Sequence, residues 1–147
     1  MARRVEVTGM DQTIRIKGRC VYPGIAEAEA LVAGKYLQGF TNVKPALGFT
    51  TERNHPIFKV PYTGKVLVFY SPRGSGGFLQ YGFGARPAAM IYTKSSPLTV
   101  GCAIQAHIPM MTDFEDDPMM YIETGDTVLV NADEGFIQIT KKDRGPE

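Results

Sequence analysis

The chain has 147 residues, the length of one compact domain, and its 44% hydrophobic and 21% charged residues exclude disorder and collagen-like repeats. Sixteen Lys plus Arg against fifteen Asp plus Glu leave a formal charge of +1, which excludes a basic field of the kind that grips nucleic acid. Two cysteines far apart in sequence, Cys20 and Cys102, make neither a disulfide framework nor a four-ligand metal or iron–sulfur site, so any metal has to be held by another chain. Sixteen Gly and ten Pro with no Trp favour strands and turns over a helical bundle. Glu6 and Asp11 fall inside what would be the apolar part of a signal peptide, and no apolar run approaches the roughly 18–20 residues of a membrane helix. A cytoplasmic protein is expected.

Thr13-Ile-Arg-Ile-Lys17 has the period-two alternation of a half-buried strand, which Gly18 ends. Residues 26–33 read Ala-Glu-Ala-Glu-Ala-Leu-Val-Ala. Propensity favours a helix there, but the strict alternation of small apolar and acidic residues favours a strand with Glu27 and Glu29 on one face, and a strand is predicted. From Gly39 to Pro61 the spacing of Gly, Pro, Thr and Asn excludes a long regular element, and a loop of that length marks a candidate interface. Residues 64–70 form the clearest strand, nearly continuous in apolar residues and therefore buried on both faces at the centre of a sheet. The glycine-rich turn Ser71–Gly77 follows, then an aromatic segment, 78–83, with the character of a helix start. Pro87 to Tyr92 reads as the next buried strand, parallel to the last because the intervening chain has crossover length. A short helix is expected over 98–105, then a strand at Ile108-Pro109-Met110. Residues 126–131 and 135–140 flank a turn as a terminal hairpin, and the polar residues 141–147 are expected to fray.

Chemistry concentrates in one place. At the end of the predicted central strand, Arg73-Gly74-Ser75-Gly76-Gly77 combines backbone that can approach an anion closely with a cationic side chain able to clamp a carboxylate or phosphate. A serine held in that field could remove a proton from a carbon next to a carboxylate. The segment lacks the Gly-Lys-Ser/Thr ending of a nucleotide loop, and on local composition a plain tight turn is the simpler account of it. His55 and His107 have no sequence-local ligand partners and read as structural. Asp113, Glu115, Asp116 and Asp117 lack the spacing and glycine of a calcium loop and read as a solvated loop. Met110, Met111, Met119 and Met120 around it suit either core packing or an adaptable contact surface. Neither cysteine sits in a Cys-x-x-Cys pair, so each reads as a small buried apolar residue.

The order of motifs is more specific than any one of them. Lys17-Gly18-Arg19, Ala26 to Val32, His55-Pro56, Gly64 to Val68, Arg73-Gly74-Ser75, Ile108-Pro109-Met110 and Thr124-Gly125-Asp126 resemble, over about residues 13–140, the aconitase X swivel family, the small subunit or small domain of aconitase-like dehydratases. The resemblance implies an α/β fold, a β-rich swivelling β/β/α domain with a few short helices, filling 1–147 as a single unit with a polar tail. It also implies a large-subunit partner that holds an iron–sulfur cluster, which acts as a Lewis acid on the departing hydroxyl. Ser75 would then be the base that takes the proton, with Arg73, Gly74 and Gly76 binding the anionic group of the substrate. Family substrates are phosphomevalonate and cis-3-hydroxy-L-proline. Two departures fall where substrate recognition is expected: Pro72 and Gly76 replace the first glycine and second serine of a Gly-Arg-Gly-Ser-Ser type turn, and Gln38 to Val43 replaces a Phe-Trp-Gly-Gly-like segment.

The leading expectation is therefore a small subunit of a heteromeric hydro-lyase, active only with its large subunit. The competing expectations are a non-catalytic small-molecule or protein-binding module that retains the swivel fold, and a stand-alone phosphate-binding domain.

Overall fold

The computed structural model describes residues 5–8, 13–34, 37–38, 43–44, 49–50, 60–70, 72–73, 86–93, 104 and 107–142. Thirteen strands run through them: β1 (Val5–Thr8), β2 (Thr13–Lys17), β3 (Arg19–Tyr22), β4 (Ile25–Val32), β5 (Leu37–Gln38), β6 (Val43–Lys44), β7 (Phe49–Thr50), β8 (Val66–Phe69), β9 (Pro72–Arg73), β10 (Ala89–Tyr92), β11 (Met110–Thr112), β12 (Thr127–Asn131) and β13 (Phe136–Thr140). Nine of them are hydrogen-bonded in the order β1-β2-β13-β12-β4-β8-β10-β11-β3. The half from β1 to β4 is antiparallel. From β4 through β8 and β10 to β11 every pair is parallel, and β3 closes the far edge antiparallel to β11.

Two places in the sequence fold these halves over each other. Gly18 alone separates β2, near one end of the strand order, from β3 at the other end. Strands that are neighbours in sequence can lie at opposite ends of one sheet only if the sheet curls back on itself. The second corner is β4, whose first five residues pair with β12 and whose last three pair with β8. Its switch point is clipped by Ala30 N–H to Asp126 O at 2.8 Å and Gly125 N–H to Ala30 O at 3.0 Å. The Gly18 corner is held by Gly18 N–H to Gly135 O at 3.0 Å, and Phe114 lies so close to it that a side chain there would collide.

The core follows from alternation. Along β8, Val66 and Val68 join Ile16, Ile91, Met111, Val128, Val130, Ile137 and Ile139 in the interior between the halves, whereas Leu67 and Phe69 join Tyr62, Met90, Tyr92, Ile108 and Met110 on the opposite face. All four β8 residues are fully buried, which is why that segment reads as an unbroken apolar run. Burial of each such side chain contributes about 1.5–3 kcal/mol. In β4 the residues Ile25, Glu27 and Glu29 are exposed while Ala26 and Ala28 pack against the core, so pairing on both edges overrides the helix propensity of an Ala-Glu repeat.

The β-rich swivel architecture, the 13–17 strand, the 26–33 strand, the central buried strand, its parallel neighbour and the terminal hairpin are all present. The strand expected at Ile108-Pro109-Met110 instead begins at Met110. His107 has φ 56, Pro109 carries no N–H to donate, and Pro109 O already accepts from Met90 N–H, so regular pairing starts only after the proline. Helix 78–83 lies outside the described residues, and of 98–105 only Ile104 is described, in helical conformation. Of the long loop, Val43–Lys44 and Phe49–Thr50 pair antiparallel, and His55 lies outside the described residues. Lys141 and Lys142, assigned to the polar tail by sequence, are fastened to the body through Asp126.

Candidate active site

Parallel strands β4, β8, β10 and β11 bring their carboxyl ends to one edge of the sheet. In sheets of this construction ligands gather at such ends, because the chain leaves the ladder there and exposes backbone groups and turn residues. Four strand ends meet at this edge: Val32-Ala33-Gly34, Phe69-Tyr70, Tyr92-Thr93 and Thr112-Asp113.

The turn singled out by sequence leaves from β8 at this edge. Beyond the β4–β8 pairing the two chains separate and pair again as β5 and β9, with Leu37 opposite Pro72 and Gln38 opposite Arg73. Five positions separate Val32 from Leu37 and four separate Val68 from Pro72, and the longer arm carries Gly34 in the left-handed region at φ 78. Arg73 is thus placed by backbone register beside Gln38. Gly74, Ser75 and Gly76 lie outside the described residues. The structure therefore locates the strand that delivers the turn and the register at its first residues.

Next to it, at the ends of β10 and β11, is a cavity of about 490 Å³ lined by Thr93, Phe114, Pro118 and the four carboxylates Asp113, Glu115, Asp116 and Asp117. Most of this loop is held by its own polar groups. Asp113 bridges Arg19 at 2.5 Å, with both side chains about half exposed, so the pair contributes less than about 1 kcal/mol. Asp116 accepts from Tyr121 OH at 2.8 Å and from Asp117 N–H at 3.0 Å. Asp117 caps the short 3₁₀ turn Pro118–Met120 through Met119 N–H at 2.9 Å and also accepts from Thr93 Oγ1 at 3.3 Å. Among the described residues no set of three or more His, Cys, Asp or Glu is arranged to hold a metal ion.

Thr93 is the contact between this loop and β8, and sequence reasoning passed over it. Its amide donates to both Phe69 O at 3.2 Å and Tyr70 O at 3.0 Å. The available signal was its position directly after a predicted buried strand, where α/β sheets place functional groups.

The remaining candidates have ordinary surroundings. His107 Nδ1 lies 2.6 Å from Tyr22 OH, with the two rings edge to face, which fastens the edge strand β3. Met110 and Met111 are core, Met119 packs against it, and Met120 is exposed. Cys20 departs from its reading as a buried apolar residue: it is an exposed free thiol, because β3 is an edge strand. Cys102 lies outside the described residues. Thr124-Gly125-Asp126 is a structural clamp: Thr124 Oγ1 accepts from Val32 N–H at 2.9 Å at the end of β4, and the Asp126 carboxylate is completely buried. None of the described helices is long and apolar enough to cross a membrane.

The sequence profile of a family described as "Aconitase X swivel domain" matches residues 15–139. The phosphomevalonate dehydratase small subunit of Methanosarcina mazei is 36% identical over 137 residues, covering 90% of this chain and 95% of its own. That of Methanosarcina acetivorans is 34% identical over 133 residues, covering 87% and 92%. Among solved structures, the crystal structure of Thermococcus kodakaraensis aconitase X in its holo form superposes with a TM-score of 0.77 at 28% identity, over 86% of this chain and 98% of that one.

Proposed function

Because the chain belongs to the aconitase X swivel domain family, we propose that residues 1–147 form a single swivel domain acting as the small subunit of a two-chain cytoplasmic dehydratase. Its substrate is a phosphorylated hydroxy acid of the phosphomevalonate type. The relatives named phosphomevalonate dehydratase small subunits, matched over nearly their whole length, support this substrate class.

One structural observation supports this reading of the site. Pro72-Arg73 follows the central parallel strand β8 in the chain, with Arg73 in register with Gln38 of the segment after β4, and four strand ends meet at the carboxyl edge of that sheet. In this reading Ser75, as the alkoxide stabilised by the cationic and backbone N–H groups around it, takes a proton from the carbon next to the substrate carboxylate and becomes the neutral hydroxyl. The electron pair released forms a carbon–carbon double bond, and the hydroxyl on the adjacent carbon departs and is protonated to water. Arg73 clamps the anionic group, assisted by the backbone N–H groups of Gly74, Ser75 and Gly76. The family's iron–sulfur cluster belongs to the large subunit in this proposal. Cys20 and Cys102 are too few thiolates for a cluster.

The test is co-expression with the large subunit and assay of water elimination from phosphomevalonate and from cis-3-hydroxy-L-proline. Turnover of the phosphorylated acid by the complex, none by the lone chain, and loss of turnover in Ser75→Ala are expected. Full turnover by the Ser75→Ala complex would remove Ser75 from the chemistry. Saturable substrate binding by the complex without turnover would favour a binding module instead.

A further inference from the structure

We infer that Thr93 is a positioning residue for the Arg73-to-Ser75 turn, holding the end of β8 through its amide and being held in place by Asp117 through its hydroxyl. The inference rests on the reading of that turn as the substrate site.

The first half of the argument is geometric. Successive carbonyls of an extended strand point to opposite edges of the sheet, so one neighbouring amide ordinarily meets only one of them. Thr93 N–H meets two in succession, Phe69 O at 3.2 Å and Tyr70 O at 3.0 Å. The chain has therefore already turned at Phe69–Tyr70, and this forked bond sets the direction in which it leaves the sheet. Two residues later it reaches Pro72-Arg73, paired with Leu37-Gln38. On the other side of β8, Ala33 N–H bonds Val68 O at 2.7 Å, one carbonyl earlier, so among the described residues Thr93 makes the last ladder contact of β8.

The second half concerns what holds Thr93. It follows the last residue of β10, beyond the register pair Tyr92–Phe69, where a chain end is free to fray. Its hydroxyl is tied to Asp117 Oδ1 at 3.3 Å, and that same oxygen caps the Pro118–Met120 turn through Met119 N–H. A threonine has few χ1 choices, so fixing its hydroxyl also fixes the peptide whose N–H makes the fork. The loop after β11 thereby reaches the turn after β8 across the intervening strand.

The experiment uses the reconstituted two-subunit enzyme. Thr93→Val keeps shape and removes the hydroxyl, and kcat/KM is expected to fall about tenfold, the scale on which small misplacements of a reacting group are felt. Thr93→Ser should restore activity to within about threefold of the parent, Asp117→Ala should match the Thr93→Val loss, and the double variant should lose no more than either single one. In the Thr93 variants subunit affinity and the unfolding midpoint should stay near those of the parent, which separates positioning from general destabilisation. Unchanged kcat/KM in Thr93→Val, with Ser75→Ala inactive, overturns this inference and leaves the proposed function standing. Additive losses in the double variant overturn it as well. An active Ser75→Ala complex instead defeats the reading of the turn itself.

Discussion

Lys141 Nζ lies 2.6 Å from Asp126 Oδ2, and the carboxylate it meets is completely buried. The same lysine donates to Tyr121 O at 2.6 Å and lies 3.2 Å from Glu123 Oε1, while Asp126 also accepts from Glu123 N–H at 2.8 Å and Lys142 N–H at 2.9 Å. One side chain thus joins the chain after β13 to the turn before β12, and the backbone of Asp126 clips the corner of β4. Removing a partner from a buried pair costs far more than the pair contributes, because the groups left behind are desolvated and unmatched. Asp126→Ala is expected to destabilise the chain by about 3–5 kcal/mol in urea unfolding. Lys141→Ala should cost less, since the two backbone N–H groups still serve the carboxylate. A loss below about 1 kcal/mol for Asp126→Ala would show that the corner does not depend on this clamp.

Gly18 is required for space. A Cβ built on it would stand 2.5 Å from Phe114 Cδ1 and 2.6 Å from Cε1, and Phe114 is partly buried against the core and lines the acidic cavity. Glu115 N–H to Lys17 O at 2.9 Å holds that loop against the corner, so the ring has limited room to retreat. Gly18→Ala should destabilise by about 1–3 kcal/mol, the cost of overpacking. Combining it with Phe114→Leu should recover part of the loss. Additive penalties in thermal or urea unfolding would refute the clash.

What sequence could and could not reveal follows from the range of each interaction. Val66 to Phe69 is legible because burial on both faces needs only local apolarity, and 126–140 because a hairpin is a local structure. Residues 25–32 were decidable because alternation survives as exposed Glu27 and Glu29. No local pattern could show that β2 and β3, one residue apart, belong to opposite ends of the sheet, since this depends on pairing with β13 and β11 at least 88 residues away. The burial of Asp126 had no local sign, because Lys141 and Lys142, which bond its carboxylate, lie in what read as a tail. At the site, Arg73 is now tied to a register, whereas the role of Ser75 still derives from resemblance. Thr93 escaped notice because its part is played through its amide, which every residue type possesses.

Tyr62 gives the fold a pH dependence at the alkaline end. Its side chain is completely buried, in the cluster with Leu67, Phe69, Met90 and Tyr92, and desolvation pushes its phenol up to about 12 from an ordinary value of 10. A phenol that resists ionisation in the folded state adds stability that is fully present below the unfolded value and is lost as pH rises through the folded one. The window is therefore about pH 10–12, with a slope of up to about 1.4 kcal/mol per pH unit from this one group. The measurement is a difference between parent and variant. The pH dependence of urea unfolding should be shallower in Tyr62→Phe than in the parent across that window, and parallel curves would exclude Tyr62 as the source.

Cys20 provides a solution probe of the edge strand β3. The thiol is exposed, yet its pKa is raised, chiefly by the desolvation its neighbours impose and secondarily by the charge of Asp133, both of which disfavour the thiolate. Asp133 is itself held by Gly24 N–H at 2.8 Å, so its charge stays fixed near the strand. Because the thiolate is the reactive form, alkylation of Cys20, followed at peptide level to separate it from Cys102, should have its midpoint above that of a free thiol. Asp133→Asn keeps an acceptor for Gly24 and removes the charge, so the midpoint should fall but remain raised by desolvation. A parent midpoint at or below that of a free thiol would mean that β3 leaves the sheet in solution, and an unchanged midpoint in Asp133→Asn would remove Asp133 as a cause.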